Sequence, residues 1–135
     1  MTEKEFFAAY REAVDAKTSA LAKEDEKQLA RSRELSAVLN GNFARFDLAV
    51  AGIAGEAGEV ADLWKKVKYH GIDFDETVKN EMIKELGDVM WYITQASVAL
   101  DIPLEEIINR NLLKLQQRHA QGFSADYMKN RKEPA

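Results

Sequence analysis

The residues of this chain best suited to chemistry are five carboxylates at helical spacing. Glu56 and Glu59 lie three apart in GIAGEAGEV (52–60), about 60° from each other on one helix face. Glu81, Glu85 and Asp88 repeat the device at i, i+4 and i+7 in NEMIKELGDVMWY. Their neighbours are apolar: Ile53, Ala57 and Val60 in the first group, Met82, Ile83, Leu86, Val89, Met90 and Trp91 in the second. Carboxylates in such company are costly to desolvate without compensation. A hard divalent cation supplies it, because Mg²⁺ takes oxygen ligands and accepts several carboxylates plus water. A single E-x-x-E on a helix is common and usually faces solvent. Two acid groups on successive helices, each flanked by apolar residues and glycine, are a stronger signal. A di-iron bundle needs two Glu-x-x-His units, but His70 and His119 follow Val67 and Gln116 at that spacing. Zinc would lack histidine and cysteine ligands. An all-carboxylate Mg²⁺ or Mn²⁺ site remains, and its usual task is phosphate chemistry.

The elements that would position these acids are helices. Thr2 and Glu5 form a capping-box pattern, followed by Phe6, Phe7, Tyr10 and Val14 at helical spacing. Residues 3 to about 39 are expected as one long or two broken helices, ending at Asn40-Gly41-Asn42. A second helix runs from about 44 to 69 and stops before Gly71. Asp75 is a candidate N-cap for a third, through about residue 100. Asp101-Ile102-Pro103 starts a fourth, which runs to about His119 and closes at Gly122. Strand signals are absent, so the fold class is all-α: a bundle of four core helices with an N-terminal helical extension.

At 135 residues the chain suggests a single domain spanning 1–135, with the motifs in about 44–124 and a helical segment over 1–40. With no cysteines, a disulfide framework is excluded and a reducing, cytoplasmic setting is expected. The charged N-terminus lacks a signal-peptide core, and no apolar run reaches membrane-spanning length, so no membrane is expected as partner. A net charge of −4 and dispersed basic residues argue against nucleic acid.

GEAGEVADLWKK followed by KELGDVMWYI resembles the MazG-like all-α nucleoside triphosphate pyrophosphohydrolases, including phage-type members that act on dNTPs. The signature reads Glu56-x-x-Glu59, 25 residues, Glu85-x-x-Asp88. NRNLLKLQQRHAQGF is similar to the family's N-x-x-K-L-x-x-R-Y-P-x-G-F through Asn111, Lys114, Arg118, Gly122 and Phe123, with His119 and Ala120 in place of Tyr-Pro. The resemblance spans about 44–124 and leaves the first 40 residues without a motif.

The resemblance implies hydrolysis of a (deoxy)nucleoside triphosphate to the monophosphate and pyrophosphate. Glu56, Glu59, Glu85 and Asp88 would ligate two or more Mg²⁺ ions, with Mn²⁺ as a substitute, and Glu56 or Glu59 would act as general base. Such a site needs extra cations for the phosphates. Lys66, within about 20° of Glu59 on the helix wheel, and the Asn111, Lys114, Arg118 stripe are the candidates. Without the family, that stripe reads as a surface feature pairing with nearby acids. Tyr92 corresponds to a nucleotide-contacting tyrosine, and Phe46 is the expected base-stacking residue. Phe43, Trp64 and Trp91 are weaker candidates, since aromatics at helical spacing are more often core. The substrate is expected to be a dNTP, purines such as dGTP or dATP slightly preferred. A pyrimidine-specific dCTP/dUTP diphosphatase and a non-catalytic helical interaction module are the alternatives. A homodimer or homotetramer is expected.

Overall fold

A computed structural model describes residues 1–120, 122 and 124–130. Among them the chain is all-helical: α1 (Glu3–Lys17), α2 (Ala20–Lys23), α3 (Asp25–Val38), α4 (Phe43–His70), α5 (Glu76–Ala99), α6 (Leu104–Arg118) and α7 (Ala125–Asn130). The caps follow the sequence. Thr2 and Glu5 close the capping box of α1, with the Glu5 amide donating to Thr2 Oγ1 and the Thr2 amide to Glu5. Gly71 ends α4 at φ 73°, where its own amide and that of Ile72 turn back to the Lys66 carbonyl. Asp75 starts α5 by accepting from the Val78 amide at 2.9 Å.

Three boundaries differ from expectation. The N-terminal segment breaks twice: at Thr18, whose hydroxyl donates to the Val14 carbonyl, and at Glu24, whose backbone is extended. Asp101 and Ile102 form a turn and α6 begins after Pro103. Asp101 takes φ 53° there, while the buried Ser97 donates from its Oγ to the Ile102 carbonyl. Finally α7 lies beyond Gly122, where the sequence reading stopped; Ser124 ahead of an acid-led stretch was the available start signal.

The closest packing is the antiparallel pair α4 and α5. Its seam is a heptad-like row: Ile53, Glu56, Val60, Leu63 and Val67 on α4 face Val78, Met82, Glu85, Val89, Tyr92 and Ala96 on α5, all half-buried. Near the far end of the pair Ala49 and Ala99 are fully enclosed. A Cβ added to Gly52 would overlap the Tyr92 ring, so the missing side chain there lets the two helices close. Trp64 stacks edge-on against Phe74 and holds the connecting loop at the other end. By contrast, among the described residues α3 meets only α2 and the start of α4, α6 touches α5 but not α4, and α1 packs against no other helix.

The chain therefore exposes 11,113 Å². A compact 15.3 kDa monomer would show about 7,100 Å². No helix among the described residues is long and apolar enough to cross a membrane.

Replacing Gly52 with alanine tests the seam. The gain in helix propensity is about 1 kcal/mol, against an overpacking penalty of about 1–3 kcal/mol. Gly52→Ala is expected to destabilise the protein in urea titrations, whereas Gly55→Ala, with open space around it in the chain, should not clash with Tyr92.

Candidate metal centre

The α4–α5 register carries the acids into contact. With Gly52 seated under Tyr92, one turn along each helix in opposite directions sets Glu56 against Asp88. Glu56, Glu85 and Asp88 each present an oxygen within 4.8 Å of the others. Glu56 and Glu85 occupy seam positions, where a helix pair normally places leucine or valine, and are half-buried; Asp88 is exposed at the rim. No lysine or arginine among the described residues forms an ion pair with any of the three. Partial desolvation pushes the Glu85 carboxyl above the ordinary glutamate range, and the charges of Asp88, Glu56, Glu59 and Glu81 add to the shift.

Three oxygen donors of like charge, converging without a cationic side chain, fit a hard divalent cation and suit no softer metal. Glu59 lies one turn beyond Glu56, outside the close triad but near enough for its charge to act on both Glu85 and Lys66. Glu81 pairs with Lys84 at 2.6 Å, which takes it out of the cluster.

The basic candidates are distributed differently. Lys66 Nζ sits 2.7 Å from Asp62 and Lys65 Nζ 2.8 Å from the same carboxylate. Hydrogen bonds from Lys65 and then Lys66 hold the Asp62 carboxyl down to about 2, and Asp62 raises Lys66 in turn. Sequence reading missed Asp62, although D-x-x-K-K places both lysines at i+3 and i+4 from it. Asn111 and Lys114 are exposed and Arg118 half-buried on α6, which does not reach α4. Phe123, part of the resemblance, lies outside the described residues.

The aromatic candidates also separate. Tyr92 lies against Gly52 one turn from Asp88. Phe46 lines an apolar hollow of about 360 Å³ with Leu35, Leu39, Phe43, Asp47 and Val50, where α3 meets α4. It stands ten residues from Glu56, about 15 Å along the helix. A second hollow of about 340 Å³ joins Arg45 to Trp91, Thr94 and Gln95, and Arg45 donates to Gln95 at 3.3 Å.

Residues 45–123 match the MazG nucleotide pyrophosphohydrolase domain. The chain is also similar to the Gene 37 protein of Mycobacterium phage L5, at 42% identity over 73 residues, or 53% of this chain and 63% of the relative. It thus spans less than two thirds of that relative's length. No solved structure matches the chain significantly.

The Glu85 environment gives a signed pH dependence. Its folded value is raised, so the stability carried by its proton is complete below the ordinary glutamate value and is lost as pH rises through the folded value. In chelator, the thermal midpoint should fall across that window, and Glu85→Gln should flatten the fall. Equal slopes for parent and variant would show that Glu85 is not under this strain.

Proposed function

The chain belongs to the MazG nucleotide pyrophosphohydrolase family, and from that premise we propose that it hydrolyses a nucleoside triphosphate to the monophosphate and pyrophosphate. The observation that carries the reading is the Glu56, Glu85, Asp88 triad, closing within 4.8 Å inside the matched segment. Carboxylates placed in a helix seam, where they weaken the fold, are best accounted for by a function that needs them there.

In this reading Glu56, Glu59, Glu85 and Asp88 would hold two or more Mg²⁺ ions, with Mn²⁺ able to replace them. When bound, such ions neutralise phosphate charge and lower the pKa of a coordinated water. Glu59, adjacent to the close triad, or Glu56 within it, takes the proton of the attacking water. Attack at the α-phosphorus forms the new P–O bond and breaks the bond to the bridging oxygen, which leaves with pyrophosphate. Lys66 releases Asp62 to meet the phosphates, since a triphosphate is the stronger partner for an exposed ammonium. Asn111, Lys114 and Arg118 bind phosphate from α6 of a neighbouring subunit, because α6 does not reach α4 of its own chain. Tyr92 and Phe46 serve the nucleoside.

The substrate we assign is a dNTP, purines such as dGTP and dATP ahead of dCTP and dUTP, used in the cytoplasm. The working form is a homodimer or homotetramer, supported by a chain surface about 4,000 Å² beyond that of a compact monomer.

Incubation with each ribo- and deoxynucleoside triphosphate in Mg²⁺ and ¹⁸O-water tests the chemistry. Monophosphate carrying the label plus pyrophosphate is expected, and stepwise release of orthophosphate would overturn the assignment. Glu56→Gln should lower turnover by about 10²-fold or more while the helical circular dichroism is kept. Lys114→Ala should raise KM about tenfold, the loss of one charge-assisted contact; unchanged kinetics would return Lys114 to a surface role.

A further inference from the structure

Helices α1 to α3 precede the matched segment, and the proposed reaction uses none of them. In α1, Phe6, Phe7, Tyr10 and Val14 fall within an arc of about 100°. They are nevertheless 51%, 52%, 62% and 49% exposed. Among the described residues no other helix packs against α1. Its tie to the rest is Lys23, which bridges to the Asp15 carboxylate at 3.1 Å and carbonyl at 3.0 Å across the Thr18 break. A lone helix of 15 residues is marginal in water, so this one needs cover to persist.

We propose that the aromatic face of α1 packs on a second copy of this chain, making the N-terminal segment an inter-subunit clasp. The surface area selects the occupant. About 4,000 Å² per chain is in excess of a compact monomer. A large obligate homodimer interface removes only about 1,000–2,500 Å² per chain. The excess is larger than one such interface removes, and α5 and α6 also carry exposed apolar residues, Ile83, Met90, Trp91 and Leu112 among them. A second copy, present whenever the chain folds, is the occupant that can cover α1 as well. The charges beside the stripe agree: Glu3, Glu5, Glu12 and Asp15 are interspersed with Lys4, Arg11 and Lys17. An anionic membrane would call for a basic polar face, which α1 lacks.

The clasp is independent of the phosphohydrolase reading and is tested without activity. Hydrogen exchange on the purified full-length protein is followed over a dilution series, with mass by sedimentation velocity. Amides of α1 should be protected in the assembled protein and lose protection together with mass on dilution. Phe7→Asp/Tyr10→Asp should expose the α1 amides and reduce the assembly while α4 and α5 stay helical. Fast α1 exchange at every concentration, or protection that persists in a sedimenting monomer, would overturn the proposal. So would a folded double variant with the parent's mass and α1 protection, or α1 protection that appears only with anionic vesicles. Should the double variant fail to fold, the parent's dilution series still decides.

Discussion

The contact between the Gly52 backbone and the Tyr92 ring is the constraint from which the candidate centre follows. A seam between two helices can close at many registers if its residues are all small or all flexible. Here one glycine and one aromatic ring match in shape at a single place, and any side chain on Gly52 would occupy the ring's volume. Fixing that pair fixes the phase of both helices. Glu56 and Asp88 then meet one turn away, and Glu85 follows on the same face. The triad is thus a consequence of steric fit some distance from it, which spares the acids from having to hold the helices together.

That division of labour matters because the acids oppose folding. Seam positions reward apolar burial, and Glu56 and Glu85 occupy two of them with charge. Desolvation of Glu85, with repulsion from Asp88 and Glu56, surfaces in its raised value. The neighbouring salt bridges show that the chain has lysines to spare, yet these serve Glu81 and Asp62. The centre is left anionic, and the fold bears the resulting strain through the apolar seam on either side of it.

Much of this was legible in the sequence. The caps at Thr2, Gly71 and Asp75 have local causes, a side-chain oxygen or a left-handed turn, and local causes can be read from neighbouring residues. The convergence of Glu56 with Glu85 and Asp88 was legible from helical phase plus one short connection. What escaped depends on rotamers and on three dimensions. Glu59 shares a face with Glu56 but stands outside the close triad. Lys66 is engaged by Asp62, a partner its spacing offered. Phe46 lines the α3–α4 hollow, and nothing in periodicity says on which side of α4 the N-terminal segment will lie. The exposure of α1 was invisible for the same reason, since an amphipathic stripe reports a need for cover without reporting what supplies it.

The connection between α4 and α5 runs only over residues 71–75. Both halves of the acid cluster therefore lie in one helical hairpin with a short connection, and helical topologies of low contact order form in microseconds to milliseconds. If a second copy covers the exposed faces of α1, α5 and α6, as proposed, that cover waits for a bimolecular encounter, whose rate depends on how much protein is present. Folding would then divide into a fast, concentration-independent phase that builds the hairpin and a slower one that covers it. The hairpin that gathers the charge would form before any assembly that shelters it, with its apolar faces open for that interval to solvent and to any chain that meets them first.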